Sequence, residues 1–303
     1  MVHGAAIIGG GPAGLSAAIW MGRHRQSAVL VDAGEHRNRW VDHAHGYLGR
    51  DPLDPRALIE HARQDLANYD TISLLHARAT AITQSDDAAD ADDPLRFTVT
   101  TDAGEDVAAR RVILATGVVD AFPQVENFFE HYGADVFHCP VCDGFEARDK
   151  HIVVFGWSEH VPGFVLSLLH WASGVTLVTD GRELQADHTR RQRLVDAGVT
   201  IIQDEAQELC GRRGDLRCVR LRSGVELHCE LAFFAIAHEP MTQFARDLGC
   251  ATTPEGYVDV DNEACTCVPG VYAAGDVTPG VQLIQVAAAK GTIAGVACAR
   301  SLL

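Results

Sequence analysis

The residues with the clearest chemical potential are Cys139 and Cys142, which two residues separate within the segment 138–145. A C-x-x-C pair can form and break a disulfide, and a cysteine near the N-terminus of a helix gains the thiolate character that disulfide exchange requires. The pair lies between two glycine-rich segments, one near residue 9 and one near residue 156, each of which follows an apolar run. We therefore expect redox chemistry at this pair.

Half of a zinc site is the alternative for the same two cysteines. A four-ligand zinc site usually needs a second pair of suitable spacing, and the other close pair in the sequence is Cys265 and Cys267. A single residue separates these two, which suits zinc poorly, so we predict no metal site. Cys265 and Cys267 are expected to be packed thiols, with a second redox pair as the alternative.

A glycine-rich loop near the N-terminus has the form of a dinucleotide-binding fingerprint. It contains Gly9, Gly11, Pro12, Ala13 and Gly14, and it joins an apolar run to a helix-like run. Glycines at this spacing allow a tight turn, the approach of backbone N–H groups to a pyrophosphate, and close packing of a helix on a strand. The loop therefore predicts a dinucleotide site.

Further residues support this interpretation. Asp32, 18 residues after Gly14, has the spacing of the carboxylate that accepts a hydrogen bond from an adenosine ribose. Two short segments each follow a hydrophobic strand: Ala115-Thr116-Gly117 and Gly275-Asp276. Together these features predict that the protein binds flavin adenine dinucleotide (FAD), and a cysteine pair between two such units can exchange electrons with a flavin.

The elements that must position these residues follow from the periodicity of the apolar positions. The first 31 residues predict a strand, a helix and a strand, and a second pattern of the same kind begins at residue 151. Period-two alternation predicts a meander with strands near 79–84, 95–100 and 107–115, and its acidic stretch 85–93 is expected to be a solvated turn. A closing helix is expected at 283–302.

These patterns predict an α/β fold with two Rossmann-like three-layer domains. We expect residues 1–117 and 239–303 to form a discontinuous FAD-binding domain. Residues 118–238 are expected to form an inserted NAD(P)-type domain that carries the cysteine pair.

Composition narrows the classes of function. The chain has 303 residues, enough for two domains, and its net charge of −16 argues against a nucleic-acid surface. No apolar run approaches the roughly 18 residues that a membrane span requires, and no targeting segment precedes the first strand, so we expect no membrane association and a cytoplasmic location. The nine cysteines are scattered, which fits a reducing compartment better than a disulfide framework.

In their order and spacing, these motifs resemble those of the thioredoxin reductase family of FAD-dependent disulfide oxidoreductases, over essentially the whole chain. The segments that carry the resemblance are Gly9–Gly14, Ala115–Gly117, Cys139–Phe145, Ala235–His238 and Val268–Val277. The resemblance implies that Cys142 faces the flavin, that Cys139 exchanges with the substrate, and that Asp143 is the acid–base group.

The resemblance has implications for the flavin and for assembly as well. It implies that Gly275 and Asp276 hold the ribityl chain and that a helix beginning near Gln285 covers the flavin ring. Gln285 matches the family's glutamine, whereas Ile284 replaces an arginine usually found before it. A homodimer is expected by the same analogy.

The second glycine-rich loop departs from the family pattern. An ordinary member uses this loop for NADPH, with small residues in the loop and arginines after the next strand. Here Ser158 and Val161 occupy small-residue positions, and Glu159 would repel a pyrophosphate. The sequence after Val178 is Thr-Asp-Gly, without an arginine for the 2′-phosphate. We therefore predict a poor NADPH site, and we expect the following arginines to lie on a solvated helix face: Arg190, Arg191 and Arg193.

The predicted activity is dithiol/disulfide exchange through Cys139 and Cys142, with a thioredoxin-like protein or a small-molecule dithiol or disulfide as the partner. In the reductive direction, a donor such as ferredoxin reduces the flavin and the cysteines then reduce a disulfide. In the oxidative direction, a dithiol reduces the cysteines and the flavin passes electrons to oxygen, as in gliotoxin- and holomycin-type dithiol oxidases.

Asp143 favours the reductase-like direction, because those oxidases often carry histidine directly after the second cysteine. A flavin-bound redox sensor that does not turn over is a further alternative.

Overall fold

A computed structural model describes residues 2–85 and 96–303 of the chain. Most of the predicted acidic turn, residues 86–93, lies outside the described residues. The chain divides into two compact units, the first formed by residues 1–39, 56–119 and 239–303 and the second by residues 40–55 and 120–238. Each unit has its own hydrophobic clusters.

The strands of the described residues are, in chain order, β1 (Val2–Ile8), β2 (Ala28–Val31), β3 (Ile72–Leu75), β4 (Ala79–Ser85), β5 (Arg96–Thr101), β6 (Asp106–Leu114), β7 (Val118–Ala121), β8 (Val136–Phe137), β9 (His151–Phe155), β10 (Gly174–Val178), β11 (Thr200–Ile202), β12 (Ala206–Arg212), β13 (Asp215–Leu221), β14 (Glu226–His228), β15 (Leu231–Phe234), β16 (Ala237–Pro240) and β17 (Val271–Ala273).

The α-helices are α1 (Pro12–Arg23), α2 (Pro55–Leu66), α3 (Phe128–His131), α4 (Pro140–Asp143), α5 (Val161–Leu168), α6 (His188–Asp196), α7 (Gln243–Asp247) and α8 (Ile284–Arg300). Short 3₁₀ helices occur at Arg37–Trp40, Gly144–Ala147 and Gly275–Val277. Among the described residues, no helix is long and apolar enough to cross a bilayer.

The sheet of the first unit has the strand order β3-β2-β1-β6-β5-β4, and β17 also pairs with β6. β5 pairs antiparallel with the first half of β6, whereas β17 pairs parallel with its last three residues. In the parallel part, Ile8 is opposite both Val31 and Leu114, and Leu114 is opposite Ala273. The carboxyl ends of β2, β1, β6 and β17 therefore meet at one edge of the sheet.

Helices α1 and α8 pack closely against each other on this sheet. A Cβ atom on Gly291 of α8 would lie 2.0 Å from the carbonyl oxygen of Ala13 in α1, and one on Gly295 would lie 2.7 Å from that of Ala17. The two helix backbones can approach this closely because α8 has glycine at both contacts.

The second unit contains a parallel sheet in the order β11-β10-β9-β15-β8 and an antiparallel sheet in the order β12-β13-β14. Residues 152–155 and 231–234 of the central strands are buried throughout, as expected for a parallel sheet covered on both faces. β7 and β16 form a separate two-stranded sheet.

These elements confirm the predicted α/β class with parallel sheets. The predicted meander strands occur as β4, β5 and β6, and the predicted closing helix occurs as α8. The helix-like pattern of residues 55–69 predicts a second helix, and the observed helix α2 ends at Leu66. Helix α7 and strand β3 were not predicted because they are short, and the seven-residue strand β12 was not predicted because its apolar residues do not alternate.

The segment 40–55 differs from the prediction, which assigned it to the first domain. The backbone N–H of Asp42 donates to the carbonyl oxygen of Gly133 at 3.0 Å, and the Trp40 ring lies 4.9 Å from that of Phe129. Arg213 forms an ion pair with Asp42 at 2.8 Å and donates to the Trp40 carbonyl at 3.0 Å. These long-range contacts, which leave no local pattern in the sequence, hold the segment in the second unit.

The contact between α1 and α8 generates a stability prediction. We expect Gly291→Ala to lower the free energy of unfolding by about 1–3 kcal/mol, because the added methyl group overpacks the contact with Ala13. The matched control is Gly163→Ala, because a Cβ atom at this exposed position of α5 meets no atom within 4 Å. That control should gain about 0.5–1 kcal/mol from helix propensity. Urea-unfolding midpoints of both variants check the prediction, and equal shifts would contradict it.

Candidate functional site

The predicted cofactor-binding residues of the first unit meet at the carboxyl edge of its sheet. Gly9 directly follows β1, Asp32 follows β2, and Ala115 follows β6. Gly275 and Asp276 lie in the short 3₁₀ helix that begins two residues after β17. The strands β1 and β6 lie on either side of the point where the chain reverses its direction across the sheet, which is the usual place for a ligand in this class of fold.

The loop 9–14 has glycines with different structural roles. Gly9 has a φ of 112°, and a Cβ atom there would lie 2.3 Å from the carbonyl oxygen of Ala115. A Cβ atom on Gly11 would meet no atom within 4 Å. Gly11 precedes α1, which begins with Pro12 and has no acidic residue in its first turn. The fold therefore requires Gly9, whereas the open space at Gly11 fits an anionic group bound at the start of α1.

Asp32 is buried and lies against this loop, because a Cβ atom on Gly10 would fall 2.0 Å from its carboxyl carbon. One carboxylate oxygen accepts from the backbone N–H of Gly34 at 2.8 Å. The other accepts from the guanidinium of Arg63 at 2.6 Å. Sequence reasoning missed Arg63, which comes from α2 and has no motif around it.

The remaining predicted residues of the first unit are also near this edge. The Thr116 hydroxyl donates to the carbonyl oxygen of Met241 at 2.7 Å. The Asp276 carboxylate is 3.4 Å from the guanidinium of Arg37, which also donates to Gln282 at 2.7 Å. Gln285 is half-buried in the first turn of α8.

Cys139 and Cys142 form a disulfide in the second unit, with their Cα atoms 5.2 Å apart. Cys139 is the N-cap of α4, and its sulfur accepts a hydrogen bond from the backbone N–H of Cys142 at 3.1 Å. Both cysteines are half-buried, and Val141 between them is 70% exposed. The position at a helix start favours a thiolate when the bond is reduced.

Asp143 is only 7% exposed and follows Cys142 directly. Its backbone N–H donates to the carbonyl oxygen of Cys139 at 3.0 Å. Burial raises the pKa of the Asp143 carboxyl from 3.8 to about 7; the negative charge of Glu146 raises it as well, and the charge of His45 opposes both. A carboxyl with this pKa can both take up and release a proton near neutral pH.

Two residues near Asp143 were missed by sequence reasoning. Glu146 lies three residues after Asp143, and its Oε1 is 3.5 Å from Nε2 of His45. Nδ1 of His45 is 2.9 Å from a carboxylate oxygen of Asp51. The spacing of Glu146 from Asp143 was a possible signal, but nothing in the sequence connects His45 with residues almost a hundred positions later.

The second glycine-rich loop is filled by its own side chains. Val161 is fully buried, and a Cβ atom on Gly156 would lie 2.7 Å from one of its methyl groups. The guanidinium of Arg182 lies 3.9 Å from the ring centroid of Trp157, and the carbonyl oxygen of Trp157 accepts from the backbone N–H of Gln185 at 2.7 Å. Arg182 was missed by the sequence analysis, and it is the arginine closest in sequence after β10.

The arginines that were expected on a helix face lie on α6. Arg190 is 3.7 Å from Asp187 and Arg191 is 3.9 Å from Glu183. Arg193 lines a cleft of about 620 Å³ together with Glu159 and Phe164. Each of these arginines therefore lies near an acidic side chain.

The remaining cysteines are free thiols in the described residues. Cys265 is half-buried, whereas Cys267 is exposed and accepts a hydrogen bond from the backbone N–H of Ala251 at 3.2 Å. The expectation that both are packed thiols is therefore wrong for Cys267, because its loop lies at the surface. Across the described ranges, no cluster of three or more His, Cys, Asp or Glu side chains is arranged to hold a metal ion.

Residues 4–291 of the chain match the family described as pyridine nucleotide-disulphide oxidoreductase. The chain is 30% identical over 314 residues to "Thioredoxin reductase tcpT" of Claviceps purpurea, which covers 99% of this chain and 94% of that protein. It is 33% identical over 181 residues to a "Probable thioredoxin reductase" of Arthroderma benhamiae, a match that covers 60% of this chain and 44% of that protein.

Solved structures with the same fold include "Crystal structure of HlmI", with a TM-score of 0.90 and 31% identity over 98% of this chain and 92% of that one. Another is a putative thioredoxin reductase TrxB from Bacillus anthracis, with a TM-score of 0.88 and 28% identity over 98% of this chain and 97% of that one.

The buried carboxyl of Asp143 generates a prediction about stability and pH. Between about pH 4 and pH 7 the folded protein keeps the Asp143 proton while the unfolded chain releases it, so the free energy of unfolding falls as the pH rises through this window. Asp143→Asn removes this titration. We expect the variant to be more stable than the wild type at about pH 8, by on the order of 1–4 kcal/mol, with no difference below about pH 4.

Chemical denaturation as a function of pH checks this prediction. The matched control is Asp149→Asn, because the side chain of Asp149 is 91% exposed in the same segment. Parallel pH curves for the wild type and Asp143→Asn would contradict the assignment.

Proposed function

We propose a function from one premise: the chain belongs to the pyridine nucleotide-disulphide oxidoreductase family and is a thioredoxin reductase-like, FAD-dependent disulfide oxidoreductase. The proposal is that it exchanges electrons between FAD and the Cys139–Cys142 pair, with a thioredoxin-like protein or a small-molecule dithiol or disulfide as its partner, and that it uses NADPH poorly. The observation that carries it is the disulfide at a helix start with the buried Asp143 directly after it.

The residues that would hold FAD are those at the carboxyl edge of the first sheet: Gly9, Gly11, Pro12, Ala13, Gly14, Asp32, Ala115, Thr116, Gly117, Gly275, Asp276 and Gln285. The open space at Gly11 and the absence of acidic residues from the first turn of α1 support a pyrophosphate there. Asp32 and Arg63 would bind the adenosine end, because their side chains already meet beside the loop. FAD, when bound, supplies a carrier for two electrons.

The exchange at the disulfide can be written with every atom accounted for. The sulfur of a substrate thiol bonds to Sγ of Cys139, the Cys139–Cys142 bond breaks, and its electron pair stays on Cys142. The proton of the attacking thiol passes to the Asp143 carboxylate. The second thiol of a dithiol then bonds to the first substrate sulfur and displaces Cys139, which keeps the electron pair of the broken bond and takes up the proton of that thiol, and the oxidised substrate is released. The reverse sequence reduces a disulfide.

Poor use of NADPH is supported by the filled loop of the second unit. Val161 occupies the space beside Gly156, and Arg182 stacks on Trp157 within the same loop region. Glu159 adds a negative charge to the cleft beside the loop, where it would oppose a phosphate. Electrons would then reach or leave the flavin by another route, such as ferredoxin or a dithiol.

The direction of electron flow has two candidates. Asp143 after the second cysteine favours the reductase-like direction. The filled nicotinamide loop favours an oxygen-dependent dithiol oxidase, because a dithiol would then be the reductant. Product analysis under air with a dithiol substrate, and with reduced ferredoxin and a disulfide, distinguishes the two.

The loop at Gly11 generates a prediction about the cofactor. We expect Gly11→Val to fold but to lose most of its FAD, because the side chain would fill the space that the pyrophosphate needs. The ratio of flavin to protein absorbance, together with a circular dichroism spectrum, measures both effects. Gly163→Val is the matched control, since its site is also open but lies outside the loop. Full FAD occupancy in Gly11→Val would contradict the placement of the pyrophosphate at Gly11.

The cysteine pair generates a second prediction. We expect Cys139→Ser and Cys142→Ser each to lose dithiol–disulfide turnover by at least about 10²-fold, because neither can close the disulfide. In Cys142→Ser the remaining Cys139 should attack a disulfide substrate, break its S–S bond and trap one half as a mixed disulfide, which intact-protein mass spectrometry detects. Cys267→Ser, which removes an exposed thiol elsewhere, should keep its activity. If both variants of the pair turn over normally, the catalytic centre lies elsewhere.

A further inference from the structure

Four side chains lead from the buried Asp143, through the half-buried Glu146 and His45, to the exposed Asp51 at the surface of the second unit. Asp143 is 7% exposed, the side chains of Glu146 and His45 are 30% and 29% exposed, and that of Asp51 is 54% exposed. His45 lies between two carboxylates, with Nε2 3.5 Å from Glu146 and Nδ1 2.9 Å from Asp51. The backbone N–H of Gly46 donates to the other oxygen of Asp51 at 3.2 Å, which fixes that carboxylate beside His45.

The turn after the disulfide places Asp143 and Glu146 on the same side of the chain. Asp143 is the N-cap of the 3₁₀ helix Gly144–Ala147, and Glu146 is three residues further on. Side chains three residues apart eclipse each other in a 3₁₀ helix. The negative charge of Glu146 also acts on the Asp143 carboxyl, so the two carboxyl groups lie near each other.

Glu146 has one oxygen that its known contacts leave unsatisfied. Oε1 faces His45, whereas Oε2 is buried and has no hydrogen-bond partner among the described residues. A buried carboxylate oxygen without a donor is costly. A proton shared with Asp143 would remove that cost.

We propose that Glu146 and His45 are positioning residues for the exchange reaction and relay the proton of Asp143 to solvent at Asp51. This inference rests on the proposed function, because it assigns a route to the proton that Asp143 takes from the attacking thiol. It adds two residues that none of the sequence motifs contains.

Every proton in the relay has a donor and an acceptor. When a thiol attacks Cys139, its proton moves to Asp143, and Asp143 passes a proton to Oε2 of Glu146. Glu146 gives a proton to Nε2 of His45, and His45 releases one from Nδ1 to Asp51 and solvent. Before the next turnover, Glu146 rotates its carboxyl group, and His45 exchanges its Nε2 proton for an Nδ1 proton with solvent. An imidazole suits this place because it can accept a proton on one nitrogen and donate from the other. In the reductive direction the same protons move inward.

The segment that carries His45 is held in the second unit by contacts away from the relay. Arg213 binds Asp42 and the carbonyl oxygens of Trp40, Glu130 and Tyr132. The position of His45 beside Glu146 thus depends on the fold of residues 40–55 and not on the relay alone. A variant at His45 can therefore remove the imidazole while the segment stays in place.

The test follows the reduction of the Cys139–Cys142 disulfide in the FAD-loaded protein by dithiothreitol, with acid quench, alkylation and mass spectrometry of the cysteine peptide. This readout does not require flavin turnover. We expect His45→Ala to slow the reduction by roughly 10²-fold at neutral pH, and imidazole added to the buffer to restore the rate. Glu146→Gln should be slow as well, but imidazole should not restore it. His43→Ala, which removes an exposed histidine from the same segment, should react like the wild type with or without imidazole.

Two results would overturn the relay: a wild-type rate in His45→Ala, or a slow rate in that variant that imidazole leaves unchanged. If His45→Ala does not fold, the test uses Glu146→Gln instead, because reduction of its disulfide at the wild-type rate also excludes the relay. Asp143→Asn separates this inference from the proposed function. If Asp143→Asn is reduced by dithiothreitol at the wild-type rate, Asp143 is not the acid–base group. If Asp143→Asn is reduced slowly but His45→Ala is reduced at the wild-type rate, only the relay is refuted.

Discussion

The burial of one carboxyl group beside a disulfide is the constraint on which the chemistry of this protein depends. Asp143 is placed by the turn between β8 and the 3₁₀ helix, and a Cβ atom on the next residue, Gly144, would lie 2.6 Å from the ring of Trp171. Asp143 itself is buried, and its burial, together with the negative charge of Glu146, raises its pKa to about 7. A carboxyl at its ordinary pKa would stay ionised at neutral pH and could not donate a proton to a departing thiolate. Under the proposed function, the raised pKa makes Asp143 a proton carrier next to the cysteines.

The first unit also contains a parallel sheet, and its candidate FAD-binding residues lie at the carboxyl edge of that sheet. Its parallel strands end at one edge, so that residues far apart in sequence, such as Asp32 and Asp276, follow strands that end at the same edge of the sheet. The glycine loop leaves open space at Gly11 where the fold itself does not need glycine. In the second unit Ser158 stands at the position of Gly11, and a Cβ atom on Gly156 would lie 2.7 Å from a methyl group of Val161. This difference between the two loops is why we propose that the first unit binds FAD whereas the second unit uses NADPH poorly.

Much of this organisation was predictable from sequence because it is local. The strands and helices that carry the motifs, the C-x-x-C pair and the glycine loop all leave short-range patterns, and the α/β class followed from them. The residues that surround the reactive groups were not predictable in the same way. Arg63 on Asp32 and His45 on Glu146 are brought in from distant segments by packing, and the segment 40–55 joins the second unit through contacts of Arg213 that no periodicity reveals. The pKa of Asp143 depends on burial, which a list of residue types does not contain.

The account is tested most directly by anaerobic rapid-mixing measurements of flavin reduction in the FAD-loaded protein, with a dithiol and with NADPH compared at equal concentrations. The account predicts that the dithiol reduces the flavin, that this reduction disappears in Cys142→Ser, and that NADPH reduces the flavin far more slowly. Fast reduction by NADPH that saturates at low concentration, together with no reduction by the dithiol, would contradict it.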